Sequence, residues 1–251
     1  MPLKILKRLN SKYLAQIEGL RRECAALDKT EYSFYTGDEK GRDFFALYYD
    51  KKKLAGFAFC CADEPAEISG AVLPDFRRQH IFTNMANALK NRAKAKAYEF
   101  SGRDGYPGFA ECAKTLGAAY RREEHLMRFT AKKPPVCPAR LQYSERKNGA
   151  VFLFLFGEPE RPSGYISLFY DGALVNIFNV YVEPKLRGQG LGYAMMCSVL
   201  DRLAAQKAEN IVLHVSGNNK PALALYCKCG FEIIDSVVFY SSAATQDSYS
   251  P

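Results

Sequence analysis

Apolar positions along this chain recur with two different periods. From Ser11 to Leu27, the residues Leu14, Ile17, Leu20, Cys24 and Leu27 fall on one helical stripe, with Lys12, Glu18 and Arg22 off it. Phe44–Tyr49 and Leu54–Cys60 read instead as strands joined by a hairpin turn at Asp50–Lys53. A helical pattern returns at Phe82, Met85, Ala86, Leu89 and Ala93. In the second half, Ala150–Phe156 and Gly164–Tyr170 predict strands, Asp171-Gly172 a turn, and the apolar run Leu174–Val182 a buried strand. Leu191, Met195, Val199 and Leu203 then repeat every four residues, with Met196 and Leu200 beside them, and predict a helix.

Between that buried strand and that helix lies Val-Glu-Pro-Lys-Leu-Arg-Gly-Gln-Gly-Leu-Gly, residues 182–192. A strand that breaks into a glycine-rich turn and restarts as a helix leaves the first helical N–H groups aimed at one point, where the helix dipole favours negative charge. Gly188, Gly190 and Gly192 are expected to keep Cβ atoms out of an anion's way, and Arg187 to add a permanent cation. The spacing is neither Gly-x-Gly-x-x-Gly nor a P-loop, so at this point a purely structural turn stays open as the alternative.

Downstream, His214-Val-Ser-Gly-Asn-Asn-Lys-Pro-Ala-Leu-Ala-Leu-Tyr-Cys-Lys-Cys-Gly-Phe231 reads as a strand end followed by a short helix. The segment 187–192 resembles the pyrophosphate loop, Gln/Arg-x-x-Gly-x-Gly/Ala, of the GCN5-related N-acetyltransferase (GNAT) superfamily. Asn219, Ala222, Leu225, Tyr226, Gly230 and Phe231 resemble that family's Asn-x-x-Ala-x-x-Leu-Tyr-x-x-x-Gly-Phe segment. The two occur in the family's order, 27 residues apart from Gly192 to Asn219.

An earlier stretch repeats the pattern. Residues 71–82 lie over residues 181–192 without a gap, so that Val72, Pro74, Arg77 and Gln79 coincide with Val182, Pro184, Arg187 and Gln189 at an offset of 110. Gly117 stands opposite Gly230, and Ala113 opposite Tyr226. The resemblance therefore implies an α/β (α+β) chain of two GNAT-like lobes, each a mixed central sheet flanked by helices. Residues 1–134 form a degenerate N-terminal lobe, residues 138–251 the acetyltransferase lobe, and the proline-bearing stretch 132–138 a linker. In the first lobe Arg78, His80 and Phe82 replace the three glycines, and Phe82 is expected to bury itself where the loop should open. Residues 139–160 leave room for one strand and a turn, and the tail 241–251 is polar.

Composition narrows the class. The 251 residues are 48% hydrophobic and 25% charged, a globular balance, and no apolar run is long enough to span a membrane. With no signal-peptide core at the N-terminus, a cytoplasmic protein is expected. The net charge of +8 sits in the first half, where residues 1–134 carry 25 Lys and Arg against 17 Asp and Glu; the remainder carries 10 against 10. The basic residues are dispersed, without a recognition helix or stacking aromatics, and read as a solvated face rather than a nucleic-acid surface. The eight cysteines, at 24, 60, 61, 112, 137, 197, 227 and 229, form no Cys-x-x-Cys pair and predict reduced thiols and no metal.

The resemblance implies acetyl-CoA as co-substrate, with the backbone of Val180, Tyr181 and Val182 holding its pantetheine arm. Its pyrophosphate falls on Arg187, Gly188, Gln189, Gly190, Leu191 and Gly192. Asn219 matches a cofactor or helix-start contact, and Tyr226 the proton donor to the departing thiolate. The general base stays open: the position where some members keep a glutamate is Asn176, Glu183 starts the loop and is expected to face solvent, and His214 reads as an ordinary half-buried histidine. The acceptor is an amine, on a small molecule or a peptide, that no motif specifies. A non-catalytic acyl-CoA-binding protein and a basic nucleic-acid-binding protein are the competing readings.

Overall fold

A computed structural model describes residues 2–28, 36–37, 43–103, 108–136, 141–158 and 160–242. Cys137, most of the polar tail and the end of the 132–138 stretch lie outside them. In chain order the elements are β1 (Leu3–Leu6), α1 (Ser11–Asp28), β2 (Phe44–Asp50), β3 (Lys53–Cys61), β4 (Ala66–Val72), α2 (Ile81–Ala93), β5 (Tyr98–Arg103), α3 (Phe109–Thr115) and β6 (Ala119–Phe129). Then follow β7 (Tyr143–Asn148), β8 (Val151–Glu158), β9 (Arg161–Asp171), β10 (Leu174–Val182), α4 (Leu191–Ala205), β11 (Asn210–Ser216), α5 (Lys220–Lys228) and β12 (Phe231–Ser241). No helix among the described residues is long and apolar enough to cross a membrane.

The chain forms two compact units, Met1–Arg122 with Val237–Pro251, and Glu123–Ser236. Their boundaries do not coincide with the expected 1–134 and 138–251. Residues 132–136 lie inside the second unit, and the chain changes units within β6 and within β12 instead. The first unit therefore takes into its sheet residues from far along the chain: Val237–Ser241 of β12 pair antiparallel with Arg103–Glu99 of β5.

Both units are mixed sheets with helices. In the first, β1 to β4 run antiparallel in sequence and β4 pairs parallel with β5. In the second, β7 to β10 run antiparallel in sequence, β10 pairs parallel with β11, and β11 pairs antiparallel with β6. Strand, one-turn 3-10 helix, helix, parallel strand and short helix thus occur in the same order twice.

The core of the second unit explains the four-residue repeat of α4. Met195, Val199 and Leu203 are wholly buried against Phe154, Phe156, Ile166, Leu168, Val175 and Ile177 of the sheet, with Tyr226 and Phe231 closing the cluster. Each such side chain contributes about 1.5–3 kcal/mol on burial. The run Leu174–Val182, read as a buried strand, is buried on the helix face only, at Val175 and Ile177; Leu174 and Asn179 are exposed and Asn176 and Phe178 half-buried. The stretch 139–160 holds two strands rather than one. The unexpected β7 carries Glu145, Arg146, Lys147 and Asn148, all exposed, which blunt the sheet's edge and hide the strand from an apolar pattern.

Candidate functional site

The site is built where β10 leaves its parallel neighbour. Pairing with β11 runs from Leu174↔Asn210 to Ile177↔Leu213 and stops, although β10 continues to Val182 and β11 to Ser216. On its other side β10 stays paired with β9, but the register slips between Phe178 and Tyr181, so β10 carries one extra residue there. Asn179 absorbs it with φ +50°, a left-handed conformation that asparagine tolerates better than most residues. This bulge turns Val180 and Val182 onto the core and stacks Tyr181 on Tyr165 at 5.0 Å. The backbone of Val180–Val182 is thereby left without a strand partner on the β11 side.

The chain then makes a 3-10 turn at Pro184–Leu186 and enters the glycine loop. Two side chains fold back to brace it: Arg187 Nε donates to the Val182 carbonyl at 3.0 Å, and Gln189 Nε2 to the Lys185 carbonyl at 3.0 Å. The Arg187 guanidinium also lies 5.9 Å from the centre of the Tyr181 ring, so it props the loop as well as charging it. Gly188 and Gly190 have φ +76° and +81°, and a Cβ on either would project into open space. No side chain fills that space, and glycine holds this left-handed backbone without steric cost. Gly192 works differently from the expectation: a Cβ there would press on Leu225 at 3.3 Å and Val182 at 3.5 Å, so this glycine lets α4 approach α5 and the end of β10. Ala194 N–H, bonded to the Gly190 carbonyl at 3.1 Å, is the first to close a helical bond, and the N–H groups before it point out of the helix end.

Asn219 caps α5, its Oδ1 accepting the Ala222 N–H at 3.2 Å, which is a helix-start role. Tyr226 sits on α5 with its ring 6.2 Å from Phe231 and only 7% of its surface exposed. Burial pushes its hydroxyl up to about 12, with the Cys229 thiol adding a smaller push, so it is a protonated donor at any physiological pH.

Of the groups considered as base, Glu183 does not face solvent freely: it is half-buried and its Oε2 accepts the Tyr181 hydroxyl at 3.1 Å. His214 is exposed rather than half-buried, and Asn176 holds a buried Oδ1 with no hydrogen-bond partner.

The first unit repeats the loop with other side chains. Arg77 Nε donates to the Val72 carbonyl at 2.9 Å and Gln79 Nε2 to the Asp75 carbonyl at 3.2 Å, the same two braces 110 residues earlier. Arg78 and His80 hold φ +60° and +58°, the left-handed conformations that glycine holds in the second unit. The loop has not repacked, contrary to expectation. Phe82 is half-buried and lines a cleft of about 650 Å³ with Val72, Arg78, His80, Phe109 and Cys112. What the first unit lacks is the bulge, for β3 and β4 pair without a slip from Gly56↔Val72 to Cys61↔Glu67.

Comparison with known proteins agrees with this geometry. The model of the acetyltransferase (GNAT) family matches residues 119–231, close to the limits of the second unit. A mycothiol acetyltransferase of Acidothermus cellulolyticus is 25% identical over 84% of this chain and 83% of its own. That of Saccharomonospora viridis is 37% identical, but over 27% of this chain and 22% of its own length. Among solved structures, a GCN5-related N-acetyltransferase from Sphaerobacter thermophilus superposes with a TM-score of 0.75 at 15% identity, covering 96% of this chain and 95% of that one. A tandem GNAT protein from the clavulanic acid biosynthesis pathway gives 0.63 at 13% identity, covering 97% and 100%. Bulge, interrupted pairing, open glycine turn and family match fall on one segment, and the chain carries there, over residues 119–231, an acetyltransferase domain of the GNAT family.

Proposed function

We propose that the chain transfers an acetyl group from acetyl-CoA to an amine, with both substrates meeting in the second unit. The observation that carries this reading is the bulge at Asn179 followed by the open turn at Gly188 and Gly190. Acetyl-CoA supplies the thioester whose acyl group moves. Toward it, the unpaired backbone of Val180, Tyr181 and Val182 offers N–H and C=O groups to the amides of the pantetheine arm. The loop from Arg187 through Gly188, Gln189, Gly190 and Leu191 to Gly192 offers N–H groups and a helix dipole to the pyrophosphate. Asn219 sets the start of α5 and so the position of Tyr226. Tyr226 gives its proton to the sulfur as the carbon–sulfur bond breaks.

In the same reading the two units are an acetyltransferase lobe and a degenerate one. The first keeps the loop's backbone but presents Arg78, His80 and Phe82 where the second presents glycine, Ala113 in place of Tyr226, and no bulge. We assign the protein to the cytoplasm and its acceptor to amines on small molecules or peptides. The relatives named as mycothiol acetyltransferases make a small-molecule acceptor the first to try.

The test is release of free thiol from acetyl-CoA with a panel of amines: amino acids, peptide N-termini, lysine side chains, polyamines, amino sugars and aminoglycosides. Turnover with at least one, lowered about 100-fold or more in Tyr226→Phe with acetyl-CoA binding retained, is the expected result. Binding without turnover across the panel would instead make this a non-catalytic acyl-CoA-binding protein.

A further inference from the structure

We propose that Asn176 and His214 form the subsite for the acceptor amine, His214 accepting its proton and Asn176 orienting it through Oδ1. The inference rests on the acetyltransferase reading above and adds the base which that reading lacks.

Strand register puts the two residues together. Asn176 pairs with Val212 across the parallel ladder, and His214 lies two residues beyond Val212, on the same face of β11. Val175, Ile177, Ile211 and Leu213 fill the opposite, helix-covered face. Ladder pairing ends at Ile177↔Leu213, so His214 is the first residue of its face to stand where the strands part. It is exposed, and no described residue hydrogen-bonds or ion-pairs with its imidazole. Asn176 carries the complementary signal, since a buried amide oxygen without a partner is costly unless something else donates to it. An amine N–H is such a donor.

The internal repeat shows what this register relation brings together in the first unit. In the first unit Glu67 pairs with Glu99, and Ser101 lies two residues beyond, the same register relation. There the two side chains touch, Ser101 Oγ donating to Glu67 Oε1 at 2.6 Å. The first unit thus has a carboxylate tied to a hydroxyl, while the second has an amide and an imidazole at the corresponding register positions.

The proton balance closes with His214 on this face and Tyr226 in the core cluster on the other side of the sheet. An acceptor arriving as an ammonium gives one proton to His214 and gains a lone pair. The nitrogen–carbon bond forms, the carbon–sulfur bond breaks, and sulfur takes the Tyr226 proton. A second proton leaves the nitrogen and, through solvent, restores Tyr226, while His214 returns its own to solvent. The products are the amide, the free thiol and one proton. Within the second unit, the charged groups facing His214 come from β6: Arg128 opposite Val212, and Glu124 opposite Ser216, with Leu126 directly opposite His214. From β10, Asn176 lies on the same face, as does Tyr181 past the bulge, whose hydroxyl donates to Glu183 and whose ring lies 5.9 Å from the Arg187 guanidinium.

The test measures kcat/KM for the best amine of the panel against pH, by thiol release from acetyl-CoA, in the full chain. His214→Gln should lose at least about 100-fold near neutrality and lose the acid limb that an imidazole imposes between roughly pH 5 and 8. Added imidazole should restore part of the activity of His214→Ala, and both variants should keep the wild-type thermal shift with acetyl-CoA. Asn176→Ala should raise KM for the amine about 10-fold with a smaller change in kcat. A wild-type pH profile in His214→Gln, or a loss that imidazole does not rescue, overturns the proposal while transfer itself stands. Absence of wild-type turnover with every amine retires the transfer reading and this inference with it.

Discussion

Placing a carboxylate at Gly190 tests the anion site directly. Gly190 holds φ +81° and a Cβ there meets no atom within 4 Å, so Gly190→Glu adds a charged side chain to the space in front of the loop without a clash. The backbone cost is the left-handed conformation, about 1–2 kcal/mol for a residue with a Cβ. The protein tolerates that cost elsewhere: His80, at the matching position of the first unit, holds φ +58°. The variant should therefore fold, melting a few degrees lower on its own. Acetyl-CoA at about 100 times its dissociation constant stabilises the wild type by about 2.7 kcal/mol, which for a chain of this size raises Tm by roughly 5–11 °C. In the variant the rise should vanish, because the carboxylate occupies and repels the pyrophosphate position. Differential scanning fluorimetry with and without ligand separates the two effects, since only the ligand-dependent shift bears on the site. An undiminished shift in a folded Gly190→Glu protein would refute the assignment of the loop.

Calorimetric titration should find one acetyl-CoA per chain, abolished by Gly190→Glu; a second, surviving site would show that the first unit also binds it. Arg78→Gly and His80→Gly should be neutral or stabilising by up to about 1 kcal/mol each in urea unfolding, because glycine relieves their left-handed backbone; Phe82→Gly, inside α2, should cost about 3 kcal/mol or more. Burial raises the Cys60 thiol from 9.0 to about 12, so its contribution is complete below about pH 9 and is lost as pH rises toward 12, by up to about 1.4 kcal/mol per pH unit; in Cys60→Ala the alkaline fall of the urea midpoint should be shallower.

The loops and helices were legible because their signals are local. Pro184, Arg187 and Gln189 repeat Pro74, Arg77 and Gln79, and the structure shows why the side chains persist: both arginines and both glutamines brace the same turn. The bulge was not legible, since an added residue at Asn179 leaves the composition of an apolar strand unchanged and shows only in how it pairs with β9. It also shifts the correspondence between the units by one residue upstream, so that Asn176 stands opposite Glu67 rather than Ala66, which an ungapped comparison conceals. Gly192 read as a third phosphate glycine because sequence spacing carries no information about Leu225, which packs against it. The division of β6 and β12 between the compact units was not legible for a related reason: a proline-rich stretch advertises a linker, whereas a strand divided between units has no compositional mark.

That sharing of β12 dictates an order of assembly during synthesis. The first unit is the first to leave the ribosome, yet the strand that completes its sheet, Val237–Ser241, is translated after the whole of Glu123–Ser236. Until then β5 presents a bare edge carrying Tyr98, Phe100 and Ser101, the kind of edge that recruits other chains. A fragment ending at residue 134 would keep that edge permanently and should be prone to self-association. Tags or fusions placed close behind Ser241 would burden the closing strand of the N-terminal unit, however far away they stand in sequence.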